Sequence, residues 1–451
     1  MAVTLLFTAI LLGLILCLAL EEKIHAKKSV IAGAFAVVSL LLGEIFHLLP
    51  TGPTLVGGHE VNLPVYIPAI DWNVIAIILG SSLFVDITAK SGLFTWIALR
   101  LTKLSGGDPL RLLVFYGVMT VVFSAVLNNV TAMIIVGSLT AVSLKRLNRG
   151  EMLLGFLMVE GLLTNVGGLL TLISSVPNIL IGTAAGIGFV DFFLVASPYV
   201  IVATIATLWL GTKRFNIKAL TDSHEREQAA QLVAGFDEND GIESRGFFIF
   251  GAVMLLLFIV TIATTSVMPF VKELGMGWVA LAFATIMLVR FKATADRFYQ
   301  ALDWDLLGFF CALFITINVM EYAGVLHMIG GGLSQIIDMG ETVGSGAILV
   351  SGAAASSVTD NIPLAAMLSK ILAAHPEVGT NPDSPFWWSV VFGANLGGNL
   401  TPIGSASTLV AVTIMHKQEL NVGFARFVKM ALPFAIMQLI LAVGYVLIVL
   451  Q

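Results

Sequence analysis

Apolar runs long enough to cross about 30 Å of hydrocarbon recur at 3–20, 29–49, 72–89, 192–211, 246–266, 275–290, 304–320 and 430–450. Each predicts a membrane-spanning helix. Two longer stretches, 110–190 and 344–415, are as apolar but are interrupted by Asn, Gly, Ser, Thr and Pro. Backbone at membrane depth must satisfy its own polar groups, so non-helical turns persist there only under cover of protein or around a water-filled cavity. The interruptions are therefore the places to look for a site.

Composition agrees with the pattern. Hydrophobic residues make up 58% of the 451 and charged residues 11%, with a mean hydropathy of +0.97. That is too little charge to cover a soluble fold of this size. The net charge of −5 says less than where the charges fall. Cys17 and Cys311 lie in apolar runs without metal-ligand spacing or a disulfide framework. The first run lacks a basic leader and meets Glu21-Glu22-Lys23 rather than small residues, so it is expected to be a retained helix, not a signal peptide.

Basic residues mark the cytoplasmic side. They cluster around Lys23, Lys27 and Lys28; from Lys90 to Arg111; from Lys145 to Arg149; from Lys213 to Arg245; from Arg290 to Arg297; and from Lys417 to Lys429, while 50–70 and 321–345 have none. This predicts a multi-pass protein of the cell (inner or plasma) membrane with both termini outside and the 212–245 segment inside. It also makes 112–144 a re-entrant hairpin entering from the cytoplasm and 344–373 one entering from outside.

The chain also repeats. Asp71-Trp72, Gly92 and Asn128-Asn129 return 232 residues later as Asp303-Trp304, Gly324 and Asp360-Asn361. Asn165-Val-Gly-Gly returns 230 residues later as Asn395-Leu-Gly-Gly. With hairpins entering from opposite faces, this predicts an all-α fold of two inverted repeats, 1–211 and 246–451, joined by the polar linker 212–245. Each repeat would carry a re-entrant hairpin and a broken helix.

The candidate ion- or substrate-binding residues follow from the interruptions. The hairpin tips supply Asn128, Asn129 and Thr131, and Thr359, Asp360 and Asn361. The breaks supply Asn165, Gly167, Gly168, Thr171, Ser174, Ser175 and Asn178, and Asn395, Gly397, Gly398, Thr401, Ser405, Ser407 and Thr408. Glycine lets backbone approach a small ligand, proline ends helices, and Asn, Ser and Thr offer neutral donors and acceptors. A broken helix also exposes an N-terminus that attracts anions and a C-terminus that attracts cations. Any one such residue is also explained by helix packing; four clusters at matching points are not. Asp360, an acid at membrane depth, is expected to bind a cation or carry a proton. Glu160 and Asp86 are the other coupling candidates.

Ser124-Ala-Val-Leu-Asn-Asn-Val-Thr131, the run Glu160–Thr171, Asp360-Asn361-Ile362-Pro363 and Gly393–Asn399 resemble the corresponding motifs of the melanosomal P protein. Leu400-Thr-Pro-Ile-Gly-Ser405 is similar to arsenite efflux permeases. The chain thus resembles the ion transporter superfamily, in the group that also holds NhaD-type antiporters. The resemblance implies a homodimer of scaffold and transport domains with elevator-like movement. Asn128 and the Ile173–Pro177 run replace acids of the P-protein pattern.

The expected function is secondary transport of a small inorganic ion, as sodium/proton-type antiport or inorganic anion efflux. The alternatives are a sodium- or proton-coupled carrier of organic anions such as citrate, or an ion channel. No zinc-protease helix motif, paired intramembrane aspartates or nucleotide-binding loop occurs, so no enzymatic activity is expected. Neither a cofactor nor a metal is expected beyond sodium or a proton as coupling ion, and no nucleic-acid partner.

Overall fold

The computed structural model describes residues 1–450 apart from Thr51 and Gly57. Among them, nine helices are long and apolar enough to cross a membrane: Ala2–Ala19, Lys28–Ile45, Trp72–Ala89, Pro109–Val126, Phe189–Arg214, Arg245–Thr264, Val271–Arg290, Trp304–Tyr322 and Phe424–Val449. The chain is an all-α polytopic membrane protein. One small antiparallel hairpin, Thr54–Val56 with His59–Val61, decorates the loop before Trp72.

Corresponding residues of the two halves build the same local structures. Asp71 caps its helix by accepting from the backbone of Asn73 and Val74, and Asp303 by accepting from Leu306. The next residue in each half, Trp72 or Trp304, donates its indole N–H to the carbonyl five residues back, at 3.1 and 2.9 Å. Gly92 and Gly324 both turn the chain at positive φ, 83° and 75°, a conformation that favours glycine. Short helices follow, Leu93–Ser105 and Val325–Ile337.

Two 26-residue helices close the halves, Phe189–Arg214 and Phe424–Val449. Each continues through a proline in its tenth position, Pro198 and Pro433, and each begins before the run predicted for it, at 192–211 and 430–450.

One group of helices pairs elements from the two halves: Trp72–Ala89 packs on Val271–Arg290, and Lys28–Ile45 on Trp304–Tyr322. Gly80 permits the first contact, since a Cβ there would lie 2.4 Å from the Ala280 carbonyl carbon. The interrupted stretches and the two 26-residue helices pack into a second group. The 212–245 segment holds a helix, Ser223–Ala234, and docks on the Leu93–Ser105 side. Glu238 accepts from Lys103 and, at 3.1 Å, from Arg100. The Arg146 guanidinium lies 4.7 Å over the Phe236 ring.

Candidate functional site

Each interrupted stretch folds as a helical hairpin followed by a broken helix. The first hairpin is Pro109–Val126 and Asn129–Arg146, with Leu127 and Asn128 extended between them. The second is Glu341–Val358 and Asn361–Ala374, with Thr359 and Asp360 extended. Asn128 caps the returning helix by accepting from the Thr131 N–H at 2.7 Å, and Asp360 does so from Ile362 at 3.2 Å. The broken helices are Leu153–Gly167 with Val176–Ala185, and Pro385–Gly397 with Ala406–Lys417.

Hairpin and break lock together in the same way twice. Ser124 donates to the Thr164 carbonyl and Ser356 to the Ala394 carbonyl, both at 2.6 Å. Thr171 donates to Ala125 O at 2.5 Å and Thr401 to Ser357 O at 2.6 Å. A Cβ on Gly167 would lie 2.7 Å from Val121 Cα, and one on Gly397 2.3 Å from the Ala353 carbonyl oxygen. These glycines serve close backbone approach.

The two breaks then cross over. Asn165, near the end of the first half-helix of one break, donates to Ser405 Oγ of the other at 2.9 Å and accepts from Ser407 at 3.1 Å. In the mirrored position Asn395 accepts from Ser175 Oγ and donates to Asn178 Oδ1, both at 2.8 Å. Asn129, from the first tip, donates to Asn165 at 3.3 Å and accepts from Ser124 at 2.6 Å. Thr408 donates to the Ser405 carbonyl at 2.8 Å. Gly168 and Gly398 stand at the same junctions, facing Asn129 and Ser405 respectively. The result is a buried cluster of neutral groups drawn from both halves.

Donors and acceptors are not balanced there. Several carbonyls at the ends of the first half-helices are bonded to side chains already: Gly168 O accepts from Ser174 at 2.6 Å and from Asn178 at 2.7 Å, beside the bonds to Thr164 and Ala394. Ser175, by contrast, gives no side-chain cap to its own helix; its hydroxyl donates to Asn395 instead. The first-turn N–H groups of Val176–Ala185 keep their dipole end uncapped.

Sequence reasoning missed Asn399, which accepts from Asn165 and donates to Gln438 Oε1, both at 2.8 Å. Gln438 in turn donates to Thr207 at 2.9 Å. The repeat gave no signal, since the counterparts of Asn399 and Gln438 are Leu169 and Ala203.

The acids lie elsewhere. Asp360 is held by Lys28, with Nζ to Oδ2 at 2.5 Å and the two side chains 26% and 14% exposed. Next to it Asp305 accepts from the backbone N–H of Ser29 at 3.1 Å and from its hydroxyl. In the other half Asn73 accepts from Gly277 N at 3.3 Å, but Asn128 and Met276 stand where Asp360 and Lys28 do. Asn128 is exposed. Thr359 donates to Ala355 O at 2.8 Å, back onto the helix it follows, and Asn361 opens the returning helix. Asp86 sits on Trp72–Ala89, outside the cluster. Glu160 has no exposed surface and lies on the first broken helix, five residues before Asn165.

An apolar cleft of about 340 Å³ separates the first hairpin and break from Arg245–Thr264, with Val122, Ile173 and Phe193 facing Phe258 and Ile262.

Known proteins share this architecture. The transporter Rv2684 of Mycobacterium tuberculosis is 29% identical over 434 residues, 94% of each chain. The human P protein is 24% identical over 95% of this chain and 60% of its own length. Among solved structures, the YdaH transporter of Alcanivorax borkumensis superposes with a TM-score of 0.57 at 14% identity, over 93% of this chain and 98% of its own. MtrF of Neisseria gonorrhoeae does so with 0.55 at 14%, over 94% and 95%. The family model described as CitMHS, citrate transporter, matches residues 15–393. The chain therefore belongs to the CitMHS family and is a secondary transporter of the kind that includes the P protein.

Proposed function

We propose that this chain carries a small organic anion of the carboxylate class across the cell membrane, driven by a cation or proton gradient. One observation carries the reading: the half-helix Val176–Ala185 has no side-chain cap, while the carbonyls of Thr164, Gly168 and Ala394 already accept from Ser124, Ser174, Asn178 and Ser356. A free helix N-terminus favours negative charge. The amides of Asn165 and Asn395 add neutral donors without a fixed charge to release. A sodium/proton exchanger needs a carboxylate within the cluster, and the acid of the second tip, Asp360, holds Lys28 instead. The family's description as a citrate transporter supports the same class of solute.

The two halves would be inverted, with both termini outside and 212–245 inside. In that frame the second hairpin enters from outside and its tip reaches Lys28, near the cytoplasmic end of Lys28–Ile45. The first tip has no such partner at Met276. Unequal docking of equivalent tips fits one end state of an elevator, with the hairpins and breaks displaced toward the cytoplasm. The apolar cleft against Arg245–Thr264 offers a surface without directional bonds along which such a body can slide.

The test is the purified chain in liposomes holding a pH dye, challenged in turn with citrate, arsenite, sodium and lithium. Citrate movement coupled to an imposed gradient supports the reading. A dye response to sodium or lithium alone, with no anion flux, replaces it with cation/proton exchange.

A further inference from the structure

Both halves place polar residues at the breaks and tips, so the binding cluster is a duplicated feature. A second polar cluster is not duplicated. Glu160, with no exposed surface, accepts from Thr140 at 2.6 Å through Oε1, and its Oε2 has no partner among the described residues. Tyr116 OH shares hydrogen bonds with Ser143 at 2.8 Å and with Thr102 at 2.5 Å. Ser143 lies one helical turn beyond Thr140, on the same face. In the second half, Glu160, Thr140 and Tyr116 correspond to Val390, Leu372 and Ile348, all buried and apolar. Nothing in the shared architecture requires an acid here.

We propose that Glu160 is the proton-binding site of this transporter, separate from the anion cluster and served by the hydroxyls of Thr140, Ser143, Tyr116 and Thr102. The inference rests on the chain being a gradient-driven carrier, and it names the coupling ion and its residue. Among the described residues Glu160 has no ion pair: the cations of the helices packed against its own, Arg111, Lys145, Arg146, Lys213, Arg214, His416, Lys417, Arg426 and Lys429, stand in the first two turns or the last turn of those helices. Tyr116 is the titratable neighbour within electrostatic reach. An unpaired carboxylate in such surroundings is unfavourable by several kcal/mol, so in this conformation the group holds a proton. A carboxylic acid kept only for structure spends both oxygens on partners; this one leaves Oε2 free. Thr140 is bonded to Glu160, and Ser143, one turn further along the same helix, is bonded through Tyr116 to Thr102, next to Lys103 in the last turn of Leu93–Ser105. Binding adds one proton to the carboxylate and release returns it to water, with no other bond made or broken.

The test is infrared spectroscopy of the full chain in lipid nanodiscs, titrated from about pH 5 to about pH 9 across the carboxylate and histidine range, with no substrate present. The expected result is a protonated-carboxyl band that disappears as pH rises and is missing throughout in Glu160→Gln. Thr140→Val, which keeps the acid but removes its one partner, displaces the transition by about one pH unit. A band unchanged in Glu160→Gln, or one that persists unaltered across the range, overturns the proposal. In liposomes Glu160→Gln retains exchange of radiolabelled citrate between equal pools but loses accumulation driven by a pH gradient. If the unmodified protein moves no citrate, the anion reading falls while the infrared titration still decides Glu160.

Discussion

Asn165 and Ser405 are 240 residues apart in the chain and 2.9 Å apart in space, amide nitrogen to hydroxyl oxygen. The mirrored pair, Ser175 and Asn395, meets at 2.8 Å. Each break is completed by the other, so neither half forms the cluster alone.

The pairing predicts coupling. Asn165→Ala and Ser405→Ala each leave a buried polar partner unmet, a loss of about 1–3 kcal/mol. The double variant loses less than the sum, by about 0.5–3 kcal/mol for residues in contact. Thermal unfolding of the four proteins in one detergent measures the cycle; strict additivity denies the contact.

Lys28→Met places at this position the residue type found at the equivalent position of the other half, Met276. Backbone hydrogen exchange at 359–362 is expected to rise roughly tenfold, equivalent to about 1.4 kcal/mol. Exchanging the charges, Lys28→Asp with Asp360→Lys, restores protection. Exchange rates that ignore both changes show that the ion pair does not hold the tip.

Gly397→Ala puts a Cβ 2.3 Å from the Ala353 carbonyl oxygen, and backbone moves less readily than a side chain. The expected loss is about 1–3 kcal/mol, read as a lower melting temperature. Gly444→Ala, with nothing within 4 Å of the new methyl group, is the control and leaves the melting temperature within a degree or two.

Outside the membrane, the Lys103 ammonium bonded to Glu238 holds that carboxyl below the usual Glu range, with Arg100 adding to the effect. A lowered folded-state value means the docking of 212–245 is fully supported above the ordinary carboxylate range and weakens as pH falls through the lowered one. Proteolytic nicking at 235–244 is therefore expected to increase on acidification in the unmodified chain. In Glu238→Gln it is high at neutral pH and changes little with acid.

The tips and breaks were legible in the sequence because Asn, Ser and Gly stand out in apolar runs and recur at a fixed offset. The crossing of Asn165 to Ser405 was not, since an offset pairs like with like and cannot say that the breaks exchange partners. Lys28 was legible only as a topology marker: a lysine near a span end reads the same whether it faces lipid headgroups or grips Asp360. Asn399 and Gln438 interrupt the repeat rather than follow it, so the duplication hid them. The helices Leu93–Ser105 and Val325–Ile337 are too short to register as spans, and only their preceding glycines were visible.

The most direct measurement is equilibrium binding to the purified protein, with radiolabelled citrate and with sodium, in the unmodified chain, Asn395→Leu and Asp360→Asn. If neutral amides and an open helix end hold the solute, citrate binds. Its affinity then falls by roughly tenfold or more in Asn395→Leu, from the loss of charge-assisted hydrogen bonds, and survives in Asp360→Asn. Sodium binding that vanishes in Asp360→Asn, with no affinity for citrate in any of the three, would contradict it.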